Sequence, residues 1–65
     1  MRVMKDGFVY KLVTPDKAKQ ILYQNLFELY AIYDDDSESL IESLSDLDKA
    51  IEQNNEIGIP VGLTH

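Results

Sequence analysis

The chain has 65 residues and a mass of 7.4 kDa, which bounds it to one small domain over residues 1–65 with a correspondingly small core. It has no cysteine to form a disulfide and a single histidine, so neither a staple nor a structural zinc supports it. No apolar run approaches the ~20 residues that span a bilayer, and Met1-Arg2-Val3-Met4-Lys5-Asp6-Gly7 does not resemble a secretory signal, so a cytoplasmic protein with no membrane partner is expected. A hydrophobic content of 45% with four Tyr and two Phe argues against disorder.

In chain order, Phe8–Val13 is β-branched and aromatic and predicts a strand. Lys5-Asp6-Gly7 is a turn signal, which makes residues 2–4 a short partner strand. Thr14-Pro15 then predicts an N-cap followed by proline in the first helical position. Ala18, Ile21 and Leu22 form one apolar face, and Asn25 suits the left-handed close of a helix over residues 15–24.

Residues 26–33 admit two readings. Leu22, Leu26, Leu29 and Tyr33 keep a helical spacing, as do Leu40, Leu44, Leu47 and Ile51. A helical hairpin flanked by terminal strands is therefore one solution. Three aromatics and Ile32 in eight residues, with Asn25 interrupting the helical stripe, favour a strand. On that reading Phe27, Leu29, Ala31 and Tyr33 face the helices, while Glu28, Tyr30 and Ile32 lie on the uncovered face. Asp34-Asp35-Asp36-Ser37 is then a hairpin loop and residues 38–43 the return strand. Ser43 or Ser45 caps a second helix that turns Leu44, Leu47 and Ile51 inward and ends at Asn54-Asn55. The last strand, residues 56–62, alternates Ile57, Ile59 and Val61 with Gly58, Pro60 and Gly62. The expected fold is α+β, a small ferredoxin-like β-α-β-β-α-β sheet with two helices on one face. In that plan the strand at 26–33 and the last strand are the two edges, which suits Pro60.

Charge is uneven. The net charge is -6, yet residues 1–20 carry a net +3 and residues 21–65 a net -9. Such acidity disfavours direct nucleic-acid binding and favours a basic protein partner, although it also serves solubility. The candidate contacts are Asp34, Asp35, Asp36, Glu38 and Glu42, with Asp46, Asp48 and Glu52 on the second helix. Carboxylates arrayed on a rigid body can occupy a groove built for phosphates, so inhibition of a nucleic-acid-binding partner is one expected role. Changing Asp34, Asp35 and Asp36 together to Asn is expected to leave the fold intact.

Catalysis is not expected. The single histidine, His65, is terminal, and the serines at 37, 39, 43 and 45 have no base that spacing supplies. No Gly-rich phosphate loop is present, and no cofactor is implied. Counted from Asp34, a calcium loop of the EF-hand type would need glycine where Ser39 stands and glutamate where Ser45 stands, so no metal site is expected. A second expectation is weak homodimerisation, with the strand at 26–33 pairing to its copy and Glu28, Tyr30 and Ile32 at the contact. The alternative to a partner-binding module is thus a self-associating structural domain.

Glu28-Leu29-Tyr30-Ala31-Ile32-Tyr33-Asp34-Asp35-Asp36-Ser37-Glu38-Ser39-Leu40-Ile41-Glu42-Ser43 resembles a hairpin of short uncharacterised proteins from gut bacteria and their mobile elements. The resemblance continues in Val13-Thr14-Pro15-Asp16-Lys17-Ala18, similar to their helix start, and in Gly58-Ile59-Pro60, where proline replaces their usual acid. It implies a phage or plasmid accessory protein and brings no activity with it.

Overall fold

The computed structural model describes residues 2–3 and 7–63. These form β1 (Arg2–Val3), β2 (Phe8–Val13), α1 (Pro15–Gln24), β3 (Leu29–Ile32), β4 (Glu38–Ile41), α2 (Leu44–Glu52) and β5 (Glu56–Leu63). The turn expected at Lys5-Asp6, Met4 of the first strand and the terminal His65 lie outside the described residues. The architecture is α+β, with both helices on one face of a five-stranded antiparallel sheet. Residues 29–32 and 38–41 pair as strands, so the helical hairpin is ruled out.

Local signals set the helices. Thr14 Oγ1 accepts the Lys17 N–H at 3.2 Å and Pro15 opens α1, as the first-turn geometry favours. At the other end Asn25 adopts φ 53°, and the N–H groups of Asn25 and Leu26 donate to the carbonyls of Leu22 and Ile21, both at 3.3 Å. That is a Schellman closure, with asparagine in the left-handed position. Ser43 caps α2 by accepting the Asp46 N–H at 3.3 Å, and the Asp46 carboxylate accepts the Glu42 N–H at 3.1 Å. Leu47 and Ala50 are buried and Ile51 is half-buried. Leu44, expected inside, is 48% exposed. It opens the helix that follows the edge strand β4, and no strand among the described residues lies beyond to cover it.

The strand order is β1-β2-β5-β3-β4, which departs from the ferredoxin-like order. The strands expected at the edges, β3 and β5, are interior, and β4 is an edge. The reason is burial on both faces, the mark of a central strand. Leu29, Ala31, Ile41 and Ile57 pack under Ala18, Ile21, Leu47 and Ala50 of the helices. On the opposite face Tyr10 and Ile32 form a second cluster, with Tyr30 against it. Gly58 of β5 makes that cluster possible. A Cβ there would lie 2.9 Å from both Tyr10 Cβ and Ile32 Cδ1, so only glycine lets β2 and β3 lean together over β5.

Pro60 therefore does not lie in an edge strand. It falls beyond the last rung of the β3–β5 ladder, which ends at Gly58, and beside a register shift that leaves Val61 unpaired against β2. Proline is accommodated at such irregularities. The expected strand from 26 to 33 is also shorter, because the Schellman closure carries Leu26 and Phe27 outward. Phe27, expected in the core, is 59% exposed. The proposed self-pairing of this strand loses its basis on two counts. Strand β3 has neighbours on both sides, and Ile32 is only 1% exposed.

Candidate protein-binding face

The β3–β4 hairpin turns tightly. The Tyr33 N–H donates to the Ser37 carbonyl at 2.8 Å and the Asp36 N–H to the Tyr33 carbonyl at 3.0 Å, with Asp36 at φ 65°. Three aspartates thus make a three-residue loop whose last member takes the left-handed conformation that short polar side chains tolerate.

The three carboxylates have different tasks. Asp35 Oδ1 accepts the Ser37 N–H at 3.0 Å and the Ser37 hydroxyl at 2.5 Å. Asp36 Oδ1 accepts from Arg2 Nη2 at 2.6 Å, and the same guanidinium pairs with Glu56 and donates to the Tyr33 carbonyl at 3.2 Å. The Asp36 bond, followed by Glu56, holds Arg2 above its ordinary pKa against the opposing effect of burial. Asp34 and Asp35 are both exposed at the tip, and only Asp36 is half-buried. Replacing all three aspartates is therefore not structurally neutral, contrary to expectation, since Asp36 anchors β1 to the hairpin.

On the face away from the helices, Tyr30 of β3 lies directly opposite Leu40 of β4. Leu40 is 43% exposed, and the half-buried Tyr30 ring meets Tyr10 edge-on at 5.7 Å between centroids. Around this apolar pair stand exposed carboxylates. Glu38 opens β4 opposite Ile32, while Glu28 precedes β3 and Glu42 follows β4 at the other end of the hairpin. Glu28 accepts the Tyr30 hydroxyl at 2.9 Å. The far side of β4 meets no strand among the described residues.

The acids thus divide. Glu28, Glu38 and Glu42 gather on the hairpin face, with Asp34 at its tip. Asp48 and Glu52 lie exposed one turn apart on α2, on the helix side of the sheet, and do not join them. Asp46 is half-buried as part of the α2 cap. Leu40, Arg2 and Glu56 were not singled out in sequence. Leu40 was findable, because alternation places it with Glu38 and Glu42. The Arg2 contacts span more than thirty positions and leave no local pattern.

Tyr30 provides a titration test. The Glu28 hydrogen bond first, then burial and nearby negative charge, push its phenol above the ordinary tyrosine value. The folded form therefore holds this proton more tightly than the unfolded form. The resulting stability is present below pH ~10 and is lost as pH rises through the folded pKa. In ultraviolet titration the Tyr30 contribution should be a late tyrosinate step that is lost in Tyr30→Phe and moves earlier in Glu28→Gln. An unchanged profile in Glu28→Gln would mean the bond does not form in solution.

Among the described residues no group of His, Cys, Asp and Glu is arranged to hold a metal, and no helix is long and apolar enough to cross a membrane. The chain matches no family model, no curated protein and no solved structure.

Proposed function

We propose that this protein is a non-enzymatic interaction module that binds a basic protein surface through the helix-free face of its β3–β4 hairpin. One observation carries the reading: Tyr30 and Leu40 stand directly opposite one another, bordered by the exposed carboxylates of Glu28, Glu38 and Glu42. An apolar centre with a charged rim is the usual anatomy of a protein interface, with the rim setting specificity and association rate. A partner whose groove normally takes phosphates would present the complementary charge, and the carboxylates would stand in for phosphate oxygens. Such a partner would be inhibited by occupancy. The resemblance carried by residues 28–43 extends the proposal to an accessory protein of a phage or plasmid.

Affinity capture from the native cell, followed by titration of the captured protein, tests the reading. Binding should weaken with salt and compete with DNA or RNA. Glu38→Lys combined with Glu42→Lys should reduce affinity at least about tenfold, or about 1.4 kcal/mol. Asp48→Asn with Glu52→Gln should change it little. A partner that binds the charge-reversed variant as well as the wild type overturns the proposal. Self-association is the second reading, supported by the open edge of β4 and the exposure of Leu40. It predicts a dimer in sedimentation that Leu40→Lys dissolves.

A further inference from the structure

The helix layer does not cover the whole sheet. Lys11 and Val13 of β2, paired with Ile59 and Ile57 of β5, share the face that carries the helices. A groove of about 460 Å³ runs beside α1 over this part of the sheet. Val13 and Ile59 form its floor, Leu26 and Phe27 one wall, and Lys11 and Lys17 its charged rim. This volume lies within the range of binding clefts.

Three features separate this groove from ordinary exposed apolar surface. Leu26 and Phe27 are 57% and 59% exposed, and their exposure is built in, because the Schellman bond from the Leu26 N–H to the Ile21 carbonyl fixes the chain there. Two adjacent large apolar residues held out in this way are costly unless something covers them. The charge is also inverted. In a chain of net charge -6, no carboxylate lines the groove, while two lysines do. Both lysines are exposed and neither forms an ion pair among the described residues. The groove also lies alongside α1, over sheet residues that the described helices leave only half-buried.

We infer that this groove docks an amphipathic acidic peptide segment of a second partner, its apolar side chains against Val13, Ile59 and Phe27 and its carboxylates against Lys11 and Lys17. A nucleic acid fits poorly, since the floor is apolar and the rest of the molecule repels polyanions. A helix laid into an apolar groove with charges at its margins is an established mode of peptide recognition. The floor of the groove and the hairpin face lie on opposite sides of the sheet and attract opposite charges, while Leu26 and Phe27 stand between them and also border a cleft with Glu28, Leu40 and Glu42. The domain would then join a basic partner to an acidic one.

A displayed random-peptide library, selected against the full chain, tests the inference without a known ligand. Selection should recover peptides that combine Leu, Ile or Phe with Asp or Glu. Their binding should fall about tenfold or more in Lys11→Glu with Lys17→Glu, and similarly in Phe27→Ser. The same peptides should still bind Glu38→Lys with Glu42→Lys. Basic peptides lost only in that last variant belong to the hairpin face, so the two readings fail separately. All substituted positions are exposed, and circular dichroism checks that each variant is folded. If no recovered peptide distinguishes the wild type from the lysine variants, the inference is wrong. It is also wrong if sedimentation finds self-association that Phe27→Ser abolishes, because the groove then belongs to a second copy.

Discussion

Leu47→Ala should cost about 2–5 kcal/mol and leave much of the protein unfolded. Leu47 is 0% exposed and is among the largest fully buried side chains, where α2 meets α1 and the sheet. Its partners include Ala18 and Ala50, which have no volume to spare for the cavity, so little collapse can offset the loss. A domain of this size has roughly 3–10 kcal/mol of total stability. One such substitution therefore removes a large part of it. Urea denaturation followed by circular dichroism measures the effect. An unchanged midpoint would show that α2 does not pack on the sheet.

Gly58→Ala should be the next most damaging change, at about 1–3 kcal/mol for overpacking. The new methyl would stand 2.9 Å from Tyr10 Cβ and 2.9 Å from Ile32 Cδ1. The second atom is the end of a flexible side chain and can move. The first is fixed to the β2 backbone and cannot. Combining Gly58→Ala with Ile32→Val should therefore recover only part of the loss, and the double-mutant cycle should report the coupling. Binding through the hairpin face should also weaken in Gly58→Ala, because Tyr30 rests edge-on against Tyr10 and shifts with it. If Gly58→Ala were as stable as the wild type, the two aromatic strands would not converge over β5.

A sheet with an open edge must avoid edge-to-edge aggregation. Strand β4 is short, begins with Glu38 and is followed by Glu42, which is how edge strands are commonly protected. The same two carboxylates border the candidate interface. The salt that weakens partner binding would therefore also weaken the edge's protection, and self-association should rise as binding falls.

Much of the local structure was legible in sequence. Strand β2 and helix α1 have the bounds expected from Phe8–Val13 and from the Thr14-Pro15 start, and Asn25 closes the helix as its side chain predicts. The hairpin loop of three aspartates was legible for the same reason, since turn chemistry is a property of adjacent residues. The inward face carrying Leu29 and Ala31 followed from alternation alone. The strand order did not, because it depends on which strands can be apolar on both sides at once. In sequence Gly58 is only one of the positions alternating with Ile57, Ile59 and Val61, yet it is the space into which Tyr10 and Ile32 pack from two neighbours. The site divided in the same way. Acidity and its concentration after residue 20 come from composition. Only the packing decides that Asp36 and Asp46 are tied into the fold while Glu28, Glu38 and Glu42 surround Tyr30 and Leu40. Those contacts join residues distant in the chain, and burial, which acts on the assembled surface, selects them.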